Sequence, residues 1–215
     1  GPLDERIFRF LVKIGHFSPD QNLSFLRQRR PVKFDAEIEH EADAFVRAAD
    51  RPFEPNRIDL REVRAIAIDN QSTKDVDDAL SLEISGNGYR LGIHISDVAA
   101  LIRPESEIFK ESLYRATTVY CVDSTAPMMP AQLSEGSLSL LAGADRRALS
   151  FLIDLDSEFR VVGRTVVRSI LRVSSRYSYD QVDRLLFDGQ SAGDPIDPES
   201  AALIQRLWEA AGRNE

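Results

Sequence analysis

The chain has 215 residues, enough for one sizeable core or for one core plus a small satellite domain, and its 43% hydrophobic and 29% charged content is ordinary for a globular protein in water. No apolar run nears the roughly 18 residues of a membrane span, no basic-then-apolar leader opens the chain, and the single cysteine, Cys121, excludes an internal disulfide framework and a cysteine-built zinc site. A cytoplasmic protein is therefore expected. The net charge of −8 argues against a uniformly basic nucleic-acid surface, but carboxylates gathered around a metal count as negative although a bound cation offsets them, so local charge must decide.

Residues 1–55 read as a helical module. A first helix carries Ile7, Phe8, Phe10, Leu11 and Ile14 on roughly one face, with Asp4 as its cap and Gly15 as its stop. A second fits residues 37–49, with Ile38, Ala42, Phe45 and Val46 inward. Between them Arg27, Arg29, Arg30 and Lys33 form a basic turn. Two helices and such a turn suit a small winged-helix-like module; the turn is a nucleic-acid contact or a solvated loop in equal measure. Residues 50–57 are a proline-bearing linker, which leaves 56–215 as the second domain.

That second part opens β-rich. A strand runs through 63–68, another through 79–84, and a third through 89–95, with Gly86-Asn87-Gly88 as the hairpin turn. Asn-Gly accepts the positive φ that tight hairpins demand. A helix follows at 105–117, capped near Glu105-Ser106, then a loop with Pro127 and Pro130. A strand at 149–155, a turn at 156–158 and a long strand over 160–174 come next, and helices near 180–188 and 198–212, joined by the linker 191–198, close the chain. The expected fold class is α+β: a curved antiparallel or mixed sheet with flanking helices.

Four carboxylates, Asp69, Asp75, Asp77 and Asp78, fall within ten residues with only Lys74 among them. Asp69 ends one apolar strand and Asp78 begins the next, so the acids sit on a short loop between core strands, an arrangement that fixes ligands in place. In an extended segment Asp75 and Asp77 share a face. Carboxylates packed this tightly repel one another, and a hard divalent cation removes that penalty. Magnesium prefers oxygen ligands and can polarise a phosphoryl oxygen. A solvated acidic turn is the common reading of such a loop taken alone. The spacing fails the EF-hand pattern for calcium, because Gln71 and Thr73 stand where acids are needed and the turn glycine is missing.

The string Arg57-Ile58-Asp59-Leu60-Arg61, then Ile68-Asp69 and Lys74-Asp75-Val76-Asp77-Asp78-Ala79-Leu80, resembles the opening of the RNB catalytic domain of the ribonuclease II and ribonuclease R family of exoribonucleases. Gly92-Ile93-His94-Ile95-Ser96-Asp97-Val98-Ala99, Thr117-Thr118-Val119-Tyr120, Ala126-Pro127-Met128-Met129-Pro130, Ser137-Leu138-Ser139-Leu140, Arg147-Ala148-Leu149-Ser150-Phe151 and Tyr179-Asp180-Gln181-Val182 are similar to further family segments, in the same order. The resemblance spans about 57–187. It implies that Asp69, Asp75, Asp77 and Asp78 hold magnesium, with manganese as a substitute, and that Asp75 and Asp77 are catalytic, Asp77 being the most sensitive. It implies that Tyr120 packs against the 3′-terminal nucleotide. The implied activity is hydrolytic 3′-to-5′ degradation of single-stranded RNA to nucleoside 5′-monophosphates, by a protein that is monomeric when complete. The alternative is an RNA-binding protein on the same fold that has lost catalysis. The family's catalytic arginine, the rest of its domain and an OB-type RNA-binding barrel lie downstream of a segment like this one, so residues 1–215 alone are expected to be inactive. The family's N-terminal cold-shock barrels are expected to be replaced here by the helical module.

Other residues carry two readings. Arg160, Arg164, Arg168, Arg172 and Arg176 recur every four residues in a β-branched stretch, so in a strand all five point to one side. Arg164, Arg168 and Arg172 then form a phosphate track that binds RNA, or a solvated sheet face. His94 is read as a structural histidine, Asp97 as a carboxylate reaching the site or as the start of a turn, Trp208 as core packing of the last helix, and Cys121 as a small apolar residue.

Overall fold

The computed structural model describes residues 2–19, 32–120, 125–188 and 196–213, with side chains from Glu5 onward. Five strands form a closed barrel in the order β1 (Ile58–Asp69), β2 (Asp78–Ser85), β3 (Gly88–Ser96), β6 (Asp145–Leu155) and β7 (Val161–Ser178). A two-stranded ribbon of β4 (Val119–Tyr120) and β5 (Thr125–Ala126) lies apart from it. Neighbours in the barrel run antiparallel except at the closing seam, where β1 and β7 are parallel. The α+β class and the mixed, curved sheet expected from the sequence are thus present; closure is the addition. It depends on β7, which pairs with β6 along its first part and with β1 along its second. Register shifts in β1 around Ala65 let that strand bend into the seam.

A five-stranded barrel has a narrow bore, so small side chains must fill it. Ala65, Ala67, Ala79 and Ala148 do so, with Val76, Leu140, Leu171 and Val173. A group of paired polar side chains lies beside them. His94, entirely buried, meets Ser81 Oγ through Nε2 at 2.9 Å and Ser150 Oγ through Nδ1 at 2.7 Å, and Ser150 Oγ meets Ser169 Oγ at 2.6 Å. The structural reading of His94 holds. Gly92 makes this possible: a Cβ there would lie 2.4 Å from Ser81 Oγ and 2.5 Å from His94 Nε2.

The β2–β3 hairpin differs from expectation in its turn. Ser85 pairs with Gly88, so the loop is Gly86-Asn87, and the positive φ of 59° falls on Gly86 rather than on the Asn-Gly pair. A glycine with positive φ at the first central position is the type II′ solution. Gly88 is needed for a different reason, because its Cβ would lie 2.0 Å from Leu155 O.

Helices pack outside the barrel. Helix α2 (Ala36–Ala49) buries Ala42, with Ile38, Phe45 and Val46 beside it, against Leu101, Ile102, Ile108, Leu133 and Leu138. Helix α3 (Glu107–Arg115) is capped by Ser106, whose hydroxyl accepts from Phe109 N. Helix α4 (Tyr179–Asp183) starts in a capping box of Ser178 and Gln181, and a π-helical turn over Arg184–Asp188 extends it. Helix α5 (Pro198–Gly212), capped by Asp197, packs Leu203 and Ile204 against Ile66, Tyr177 and Val182. Trp208 is not core: it is 55% exposed and meets only the edge of Phe187 at 5.5 Å among the aromatic contacts described.

The N-terminal expectations fare unevenly. Helix α1 (Pro2–Lys13) forms and Gly15 follows it with a φ of 74°, but Asp4 lies inside the helix instead of capping it. Its apolar side stays open, with Ile7, Phe10 and Ile14 about half exposed or more. Arg27, Arg29 and Arg30, and with them the basic turn of the winged-helix expectation, lie outside the described residues, as does Cys121. Segment 50–57 is held rather than loose. Arg147 donates to the carbonyls of Ala49, Arg51 and Pro52, stacks over Phe53 at 4.7 Å and pairs with Glu54. Arg57 pairs with Glu54 and with Asp97 Oδ2 at 2.8 Å. The Asp97 side chain therefore ties the end of β3 to the residue before β1, through Arg57, and does not cap the turn that follows it. No helix among the described residues is long and apolar enough to cross a membrane.

Two outcomes follow for the barrel. Gly92→Ala lowers stability by about 1–3 kcal/mol, because the added methyl overlaps the His94–Ser81 pair; urea denaturation measures it. Burial holds His94 down at about 4 in the folded protein, against an unfolded value of 6.5. The unfolded chain thus binds more protons between those values, so the contribution of His94 is complete above pH 6.5 and is lost as pH falls toward 4. The loss is about 3 kcal/mol at full extent. Denaturation at stepped pH gives the slope, and His94→Gln flattens it over that window.

Candidate active site

The aspartate loop is fixed by the one residue in it that is not polar. Val76 is 1% exposed and belongs to the barrel core. Its N–H donates to Ser139 Oγ at 2.9 Å and its carbonyl accepts from Leu140 N at 2.8 Å. The Asp77 carbonyl accepts from Ser96 N at 2.9 Å. With the backbone extended and Val76 turned inward, the alternation of side chains sends Asp75 and Asp77 outward together. The start of the loop is a local turn. Asn70 Oδ1 accepts from the N–H and hydroxyl of Ser72, and Asp69 Oδ1 accepts from Asn70 N at 2.7 Å and Thr73 Oγ1 at 2.9 Å. Arg176 of β7 donates to Asn70 O at 2.6 Å and ties this turn to the barrel seam.

The carboxylates sense one another. Asp77 is pushed up from the ordinary aspartate value, first by desolvation and then by the charges of Asp75, Asp78 and Asp69. Asp78 is raised by desolvation and by Asp69. Both residues keep solvent-exposed surface, so water screens much of this penalty. Tyr120, on β4, donates its hydroxyl to Asp75 Oδ2 at 3.0 Å while its ring is left open, the residue being 66% exposed. Its phenol is pushed up to about 12, by desolvation, by that hydrogen bond and by the neighbouring aspartates. An open cleft of about 600 Å³ lies here, lined among others by Asn70, Thr73, Asp75, Thr118, Tyr120 and Ser134.

An all-oxygen, mutually repelling donor set has the chemistry that a hard divalent cation takes. The described residues contain no three Asp, Glu, His or Cys side chains that already converge as a metal centre. The loop thus supplies the donors and the electrostatic motive, without a preformed coordination shell.

Arg164, Arg168 and Arg172 do not join this site. Arg164 and Arg168 are exposed on the outer face of β7, and Arg172 is paired with Asp145 at 2.6 Å. Asp69 pairs with Ser178 across the seam, which puts Arg172 roughly 20 Å back along the strand, and the other two farther. Sequence reasoning missed Ser139 and Ser96 and named Arg176 only as a member of the arginine row; all three hold the loop through its backbone.

The profile of the RNB domain matches residues 57–212. The chain belongs to the RNB family. Among RNB relatives, ribonuclease R of Thermotoga maritima is 36% identical over 75% of this chain. Two Arabidopsis thaliana proteins, DIS3-like exonuclease 2 and inactive exonuclease DIS3L2, are each 40% identical over 63% of it. The structure of Mycoplasma genitalium RNase R in complex with double-stranded RNA superposes on 88% of this chain with a TM-score of 0.77 at 22% identity, which shows the shared fold. The chain spans 23% of the Thermotoga protein, 13% of each Arabidopsis protein and 33% of the Mycoplasma chain.

The raised Asp77 carboxyl has a consequence for stability in this RNB chain. A folded pKa above the unfolded one means that the folded state binds more protons, so stability falls as pH rises through the folded value and the penalty is complete above it. Asp77→Asn therefore raises the thermal midpoint at pH 7 without divalent cations. The gain is below about 1 kcal/mol, since the site is screened; calorimetry of the two proteins reads it.

Proposed function

We propose that this chain carries the metal-holding part of a magnesium-dependent, hydrolytic 3′-to-5′ exoribonuclease that degrades single-stranded RNA to nucleoside 5′-monophosphates. The observation that carries this reading is the pairing of Tyr120 with Asp75: an exposed aromatic ring is hydrogen-bonded to one of four carboxylates that share a ten-residue stretch in a chain of the RNB family. An aromatic face stacks on any base, which suits a nuclease that reads no sequence. Asp69, Asp75, Asp77 and Asp78 are the residues that would hold the cation, and a bound magnesium would supply neutralising charge to the phosphoryl oxygens. The chain's own part is positional. Val76 and its partners present Asp75 to the cleft and turn Asp77 outward beside it, and Tyr120 sets the terminal nucleotide against Asp75. Residues 1–215 alone are expected to lack turnover, and Arg164, Arg168 and Arg172 are secondary candidates for phosphate contacts outside the cleft. The working compartment under this reading is the cytoplasm.

A second reading has its own observation. The chain is equally similar to an Arabidopsis protein named as an exonuclease and to one named as inactive, so identity in this region does not separate catalysis from RNA binding alone.

The deciding experiment uses the full-length protein containing this chain and 3′-labelled single-stranded RNA, with magnesium or with EDTA. Monophosphate release with magnesium, none with EDTA, and a loss of at least about a hundredfold in Asp77→Asn with RNA binding kept are expected. RNA binding without any release by the wild type would establish the second reading instead. In parallel, magnesium raises the thermal midpoint of the wild type more than that of Asp77→Asn.

A further inference from the structure

We propose that Ser139 is a positioning residue of the aspartate site: its one hydroxyl fixes both peptide groups that flank Asp75. This rests on the reading of that loop as the catalytic site.

The side chain of Ser139 is entirely buried, more than sixty positions along the chain from the loop it touches. Its oxygen accepts from Val76 N at 2.9 Å, and its hydrogen is donated to Lys74 O at 3.1 Å. The Lys74 carbonyl belongs to the peptide group before Asp75, and the Val76 N–H to the one after it. One atom thus restrains the two planes between which the Asp75 side chain departs. The neighbouring bond from Leu140 N to Val76 O holds the next peptide, the one that precedes Asp77. Ser139 is itself anchored, because its carbonyl accepts from Arg146 Nε at 2.9 Å and the same guanidinium donates to Gly136 O. Arg146, Ser139 and the aspartate loop form one connected support.

An ordinary core serine would also satisfy two backbone groups. The difference lies in what its loss moves. In Ser139→Ala the fold keeps its shape and volume, but Asp75 loses the restraint on both sides, in a place where water has no access to replace it. A displacement of the order of 1 Å at a reacting group costs about a hundredfold in rate, whereas binding of the distant RNA chain is untouched.

The test compares wild type, Ser139→Ala and Ser150→Ala in the full-length protein. Ser150 is an equally buried serine, paired inside the barrel with His94 and Ser169. Ser139→Ala is expected to lower kcat by about ten- to a hundredfold with KM for single-stranded RNA within about threefold. Ser150→Ala is expected to keep kcat within about twofold at a similar thermal midpoint. Hydrogen exchange over residues 70–78 is expected to accelerate at least about tenfold in Ser139→Ala and not in Ser150→Ala. Exchange is read without turnover, so a wild type with no nuclease activity would defeat the reading of the site while still deciding whether Ser139 holds the loop. Unchanged exchange over 70–78, or a kcat loss matched by Ser150→Ala, overturns the proposal. If Ser139→Ala does not fold, Ser139→Cys, which keeps a weak donor, is measured in the same way with the same expectations.

Discussion

Everything at the aspartate loop depends on the burial of Val76. A segment carrying Asp75, Asp77 and Asp78 has no reason of its own to stay on the protein, since charge repulsion and hydration both favour a detached loop. One apolar side chain in the barrel core opposes this. Burying a valine contributes about 1.5–3 kcal/mol, and its backbone bonds to Ser139 and Leu140 convert that attraction into a fixed register. Strand geometry does the rest, because neighbours of an inward residue must face outward. The loop is therefore held by its least polar member so that its charged members can be held apart from the core and together.

The barrel that receives Val76 is shaped to the same end. Its bore admits small side chains and one histidine, and the histidine is tolerated because both ring nitrogens meet serine hydroxyls. Buried polar groups that are fully paired specify one arrangement, since any slip in register leaves them unpaired. Ser81, His94, Ser150 and Ser169 come from four different strands, so their chain of bonds fixes the strands relative to one another. Arg57 extends this at the barrel's end by reaching the carbonyls of Ala148 and Ser169. The order of the strands, and hence the meeting of β1 with β2 at the aspartate loop, is under polar as well as apolar control.

Much of this was legible in the sequence wherever the signal is local. Alternation marked the strands, helical periodicity and Ser106 marked α3, and the cluster of acids between two strands was visible by inspection. Failures occurred where geometry depends on a distant partner. Gly86 takes the positive φ, and Gly88 is required for another reason, because Leu155 approaches it from another strand. Trp208 sits on an apolar face that the fold leaves half open. The arginine row is one-sided as its period requires, yet Arg172 is engaged by Asp145, which no spacing rule reveals. Ser139 left no trace, because it acts on backbone atoms more than sixty positions away, and backbone atoms have no sequence signature.

The link between Tyr120 and Asp75 shows how two weak signals become one site. A tyrosine after a valine in a short strand is ordinary packing, and an acidic loop is ordinarily solvated. Here the hydroxyl gives its single hydrogen to a carboxylate oxygen, so the ring is oriented by charge while most of the residue stays in water. A ring that is mostly exposed gains little from the core and leaves apolar surface in water. What it offers is a stacking surface at fixed distance from a group of carboxylates. Under the nuclease reading that distance sets which phosphate the aspartates meet once a terminal base has settled on the ring, and the base itself goes unread because every base has a π-face.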